Sequence, residues 1–122
     1  MAFAVEAVPD EANLFRRIHR NHYDSQTGRM SSAAFRQERM SVDWEKYRDA
    51  AGAADENSAV VAAVLCGECR ALGQTVEHTP IEPDEQFGPN RAHTEVCGNK
   101  GGAVSRQLRD RAWIAWRKPA ET

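Results

Sequence analysis

Cys66 and Cys69 precede His93 and Cys97 in the spacing C-x2-C-x23-H-x3-C, the ligand set of a Cys3His zinc site. Zinc would need three thiolates and one neutral imidazole in tetrahedral reach. The local pattern works against that use. Residues 58–72 place Val61, Leu65, Cys69 and Leu72 at helical spacing, and Cys69 falls within that apolar stripe, where a cysteine behaves as a small core residue. The C-terminal end of a helix also disfavours a thiolate. Cys66-Gly67-x-Cys69 is nonetheless a knuckle-like sequence, so zinc stands as the alternative reading beside an expectation of no cofactor. The zinc nucleobase deaminases, which place H-x-E before P-C-x-x-C, are excluded: here the cysteine pair comes first and lacks the proline.

Two further clusters carry candidate chemistry. Arg16-Arg17-Ile18-His19-Arg20-Asn21-His22-Tyr23 combines guanidinium forks, which match phosphate oxygens, with imidazoles that exchange protons near neutral pH. Gly98-Asn99-Lys100-Gly101-Gly102 runs from an expected strand into an expected helix. Its backbone N–H groups, with Lys100 and Arg106, form a candidate anion-binding turn. The turn does not match G-x-x-x-x-G-K-[ST], so no P-loop ATPase follows. On a strand, His93, Glu95 and Cys97 would share one face. No Ser-His-Asp order and no G-x-S-x-G elbow is present, and Ser31 and Ser32 read as helix caps.

The elements that must hold these residues are short. Residues 14–19 fit either a helix, with Leu14, Ile18 and His22 on one side, or a strand with Leu14, Arg16 and Ile18 on one face. Residues 21–28 read as a loop, Ser31 or Ser32 to Phe35 as a helical turn, and Met40 to Val42 as a brief strand. A helix is expected over 43–51, with Trp44 and Tyr47 on one side and Gly52 as its stop, and another over 58–72 ending at Gly73. Residues 75–79 and 92–97 lean to strand across a loop at 80–90. Val104 to Ala112 reads as a helix, and Trp113 to Trp116 as a last strand or the end of that helix. The sum is an α+β chain: a short mixed or antiparallel sheet with two or three helices, over residues 10–118. A loose lead-in (1–9) and a tail (119–122) flank it.

Length and charge bound the rest. At 122 residues the chain fits one domain. Its longest apolar run, Ala59 to Cys66, is too short to cross a membrane, and the first residues do not read as a secretory leader. Three cysteines fit poorly with a disulfide framework, which points to a reducing cytoplasm. The net charge of −2 divides unevenly. Residues 11–40 carry six arginines against three carboxylates, 41–90 carry three cations against ten, and 91–122 carry seven against three. Two basic ends thus flank an acidic middle, and together they form a candidate surface for phosphate.

The succession Phe15-Arg16-Arg17-Ile18-His19, Ser31-Ser32-Ala33-Ala34-Phe35, Met40-Ser41-Val42-Asp43 and Ala92-His93 with a trailing Gly98 resembles a group of short uncharacterised bacterial proteins. They share R-x-I-H, S-S-x-x-F, S-V-D and a late A-H…G. The resemblance spans residues 14–116, implies no activity, and draws attention to His19 and His93.

Two functions fit these readings. One is a binding or accessory module that recognises a protein partner or a phosphate-bearing ligand through Arg16, Arg17, Arg20, Lys100, Gly101, Gly102 and Arg106. The other is a small toxin- or defence-like enzyme acting on RNA or a nucleotide. In it His19 or His93 would be the acid–base group, Arg17 the phosphate clamp and Lys100 the charge stabiliser. The enzyme reading requires His19 and His93 to line one cleft with Arg17 or Lys100.

Overall fold

Alternation decides the first ambiguous segment. Asn13–His19 forms strand β1, with Leu14 and Ile18 buried on one face and Phe15 on the other. In the computed structural model, which describes residues 2–83 and 88–120, seven further strands and three helices follow. A 3-10 turn at Arg20–His22 leads into a short hairpin of two-residue strands, β2 (Tyr23–Asp24), inside the stretch expected to be a loop, and β3 (Arg29–Met30), just beyond it. A second 3-10 turn, Ser32–Phe35, is capped as expected, Ser31 Oγ accepting the Ala33 N–H.

Two expected helices are corrected. Strand β4 runs over Arg39–Trp44, so Asp43 and Trp44 pair in a sheet, and the helix of that region shrinks to α1, Ala50–Ala53, capped by Asp49. The segment read as a helix over 58–72 is strand β5, Ser58–Leu65, followed by the short helix α2, Cys66–Ala71. β5 is covered on both faces, so nearly every position is apolar and any period can be laid over it. Its β-branched valines and burial on two sides favour the strand. Strands β6 (Thr75–His78) and β7 (His93–Cys97), helix α3 (Gly102–Arg111) and strand β8 (Trp113–Arg117) match the remaining expectations closely. Of the loop expected over 80–90, residues 84–87 lie outside the described residues, as do Met1 and residues 121–122.

The six-stranded sheet has the order β6-β7-β4-β1-β5-β8 with every neighbour antiparallel, and β2-β3 stands apart. The chain is therefore a small α+β domain with an antiparallel sheet. One face carries Leu14, Ile18, Met40, Val42, Val60, Val64 and Val96 against α2, α3 and the Ser32–Phe35 turn, with Phe35 and Leu108 fully buried. The other face is split. Its β1-β5-β8 side packs Phe15, Val61, Ala63 and Trp116 against α1, while its β4-β7 side carries Ser41, Asp43, His93, Glu95 and Cys97. Residues 2–9 form no helix or strand, yet Val8 is buried in the main core and Glu6 donates its N–H to His78 Nδ1 at 3.0 Å. Among the described residues, no helix is long and apolar enough to cross a membrane.

Candidate functional site

The turn after β7 is built by contacts from three parts of the chain. Gly98 has φ +148, a backbone conformation that favours glycine, and the Gln74 side-chain amide packs where a Cβ would stand. Its N–H bonds to the Glu38 carbonyl, and the Asn99 Oδ1 accepts the Gly101 N–H at 2.9 Å. Gly101 is the N-cap of α3 and has no side chain to offer. The Val104 and Ser105 N–H groups both turn back to its carbonyl. No acceptor among the described residues takes the Gly102 or Ala103 N–H, so the positive end of α3 stays open.

Lys100 lies beneath this opening at 3% exposure. Its Nζ donates to the carbonyls of Glu38 (2.9 Å), Val96 (2.8 Å) and Gly98 (3.2 Å), which uses all three of its protons. Burial pushes its pKa below the ordinary lysine value. Among the described residues, no carboxylate lies within ion-pair distance of it. Lys100 therefore contributes positive charge but no free donor. A cavity of about 320 Å³ opens above it, lined by Arg36, Glu38, Asn99, Lys100, Gly101 and Gly102. The Arg106 Nη1 lies 3.0 Å from where a Gly102 Cβ would stand, which sets its guanidinium over the start of the helix. Neither Arg36 nor Arg106 has an ion-pair partner among the described residues. Of the sequence candidates, Lys100, Gly101, Gly102 and Arg106 thus meet at one place.

The basic N-terminal segment does not join them. Strands β1 and β4 pair only at Leu14↔Trp44 and Phe15↔Asp43. Beyond that point the Arg16 guanidinium bridges to β4, donating to the carbonyls of Ser41 (2.9 Å) and Ala34 (3.1 Å) and to Gln37 Oε1 (3.2 Å). Its pKa is lowered, first by burial and then by Arg17. Arg17 points to the opposite face and bridges Asp43 at 3.6 Å and Asp55 at 4.0 Å. Arg20 lines a different cavity, of about 340 Å³, with Lys118 and Tyr23. The run of arginines is adjacent in sequence and divided among three environments in space.

The two histidines are likewise apart. His19 Nδ1 accepts the Asn21 N–H at 3.0 Å and caps the first 3-10 turn. His93 Nδ1 lies 2.9 Å from the Thr79 carbonyl, and its Nε2 lies 3.3 Å from Ser41 Oγ. The Thr79 hydroxyl also lies 2.9 Å from Nδ1, so both ring nitrogens have polar partners in either tautomer. His93 pairs with Asp43, Asp43 with Phe15, and His19 lies four residues further along β1. Two strand spacings and four strand residues separate the histidines by roughly 16 Å. They share a face but not a cleft, and Lys100 is in neither neighbourhood.

The four zinc candidates also divide. Cys66 and Cys69 are buried in the main core, whereas His93 and Cys97 face the other side of the sheet, since Thr94 and Val96 between them point inward. Burial pushes the Cys69 thiol up to about 12 and raises Cys66 and Cys97 as well, which opposes the thiolate form a metal requires. Among the described residues, no three His, Cys, Asp or Glu side chains converge as metal ligands.

Arg36 and Glu38 are functional candidates that sequence reasoning missed. They follow Phe35 in a polar stretch without periodicity, and tertiary contacts bring them to the cavity: the Arg39↔Cys97 pairing and the Gly98 and Lys100 bonds to the Glu38 carbonyl. Comparison with protein-family models, with curated proteins and with solved structures finds no match for this chain.

Proposed function

We propose that this chain is a small binding module for a phosphate-bearing anion, seated at the start of α3. One observation carries the reading: the Lys100 ammonium is buried at the uncapped start of a helix, with no carboxylate within ion-pair distance among the described residues. A helix start presents about half a positive charge and aims N–H donors outward. Arg36 and Arg106 add forked donors at the rim, and among the described residues Glu38 is the one carboxylate lining it. The buried ammonium strengthens the positive potential because its surroundings screen it less than water does. Binding through these groups needs no side chain to move proton or electron, and the identity of the anion's organic part is left to other surfaces.

The test is an amide-resolved NMR titration with inorganic phosphate and with pyrophosphate. The Gly102 and Ala103 amides are expected to shift and saturate. Arg36→Glu and Arg106→Glu, both at exposed positions, are each expected to weaken binding about tenfold, or about 1.4 kcal/mol. Unmoved amides, or unchanged affinity in both variants with normal melting temperatures, would defeat the proposal.

A further inference from the structure

The sheet has two edges, and only one is guarded. Strand β6 is four residues long, places Glu77 outward, and is crossed at His78 by the N-terminal segment through the Glu6 N–H. Such short, charged or covered edges prevent strand addition. Strand β8, Trp113–Arg117, forms the other edge and has no strand beyond it among the described residues. It contains no proline and no acidic residue, and Trp113 is 44% exposed beside the buried cluster that holds Trp116. An edge of this composition presents open backbone donors and acceptors together with an apolar side chain.

Charge selects the occupant. Residues 109–118 carry Arg109, Arg111, Arg117 and Lys118 against Asp110 alone. Arg109 pairs with Asp110 and Arg111 with Glu68. Among the described residues, Arg117 donates only to the Tyr23 hydroxyl at 2.6 Å and Lys118 has no ion-pair partner. An acidic strand laid along this edge would find these cations matched. We propose that β8 is the docking edge for an extended acidic segment of a partner protein. The segment adds as a seventh strand by backbone hydrogen bonds. An apolar side chain of it rests on Trp113, and its carboxylates meet Arg117 and Lys118.

The probe is a synthetic peptide of alternating Glu and Val, with its Lys/Val counterpart as control, read by amide hydrogen exchange and by sedimentation. The acidic peptide is expected to slow exchange at outward-facing amides of 113–117 without changing those of β6. The double variant Arg117→Glu/Lys118→Glu is expected to weaken it at least tenfold, and Trp113→Ser to weaken it at a position whose side chain is already half in water. Phosphate titration at Gly102 should be unaffected by these changes, which separates this edge from the α3 site. Three results would overturn the proposal: no protection of β8, equal binding of the Lys/Val peptide, or a dimer in which the β8 amides are already protected.

Discussion

Asp43 and Lys100 are both buried charges, at 2% and 3% exposure, and the fold treats them differently. The Asp43 carboxylate receives Arg17 at 3.6 Å, Arg48 at 3.4 Å and the Asn90 amide at 2.9 Å. Both guanidiniums keep about a third of their surface in water, so the charge is cancelled locally and the cluster ties β1, β4 and the loop before α1 together. Lys100 is held by three backbone carbonyls instead. Carbonyl dipoles solvate an ammonium without cancelling its unit of charge. The comparison teaches how a buried charge can serve either role: counter-charged, it braces a sheet; caged by neutral groups, it projects a field into the nearest opening.

The sharpest way to break this contrast is Lys100→Met. It keeps most of the side chain's apolar stem but removes the donor from the buried Val96 carbonyl and the part-buried Glu38 and Gly98 carbonyls, of which Glu38 keeps the Gly98 N–H, so unfolding by urea is expected to show a loss of about 2 kcal/mol. Phosphate affinity at Gly102 should fall in the protein that remains folded. Full stability would mean that the carbonyl cage does not need its ion. Asp43→Asn is expected to cost less, about 1 kcal/mol, because Arg17 and Arg48 can turn to water when their acceptor weakens. This variant should leave phosphate binding unchanged, and an equal loss of affinity in both variants would erase the distinction drawn between the two charges.

The smallest effect is the pH dependence. The folded pKa of Lys100 lies below its ordinary value, so between the two the unfolded chain binds more protons than the folded one. Stability relative to Lys100→Met should therefore rise with pH across that window, up to about pH 10.4. Cys69 acts in the opposite sense. Its thiol is held up to about 12, so its contribution is complete below the unfolded thiol value and is lost as pH rises toward 12. Comparing wild type with Lys100→Met and with Cys69→Ala across alkaline denaturation curves separates the two slopes. A Lys100 difference that falls with pH would contradict the burial argument.

Much of the fold was legible in short segments. Ser31 announced its 3-10 turn, residues 75–79 and 92–97 announced their strands, and the helix expected from Val104 is α3, which starts two residues earlier at Gly102. Residues 58–65 misled because an all-apolar run carries no period, and residues 43–51 misled because Trp44 and Tyr47 at helical spacing lie on a strand end and the turn after it. Of the candidate site, the glycine turn and Arg106 were readable, while Arg36 and Glu38 were not. The arginines at 16, 17 and 20 were read as one patch because proximity in sequence says nothing about which face each side chain takes once a strand alternates.

The sequence alone determined the α+β class, the need for a strand-to-helix turn at residues 98–102, and the absence of a P-loop or a Ser-His-Asp order. Tertiary structure decided what each polar group is for. Arg16 became a brace between separating strands, and Lys100 a buried cation whose donors end in part on a carbonyl 62 residues away. Propensity, capping and turn chemistry act over a few residues and are written locally. The partners that neutralise, cage or expose a charge are set by contacts between distant segments, and those exist only once the sheet has formed.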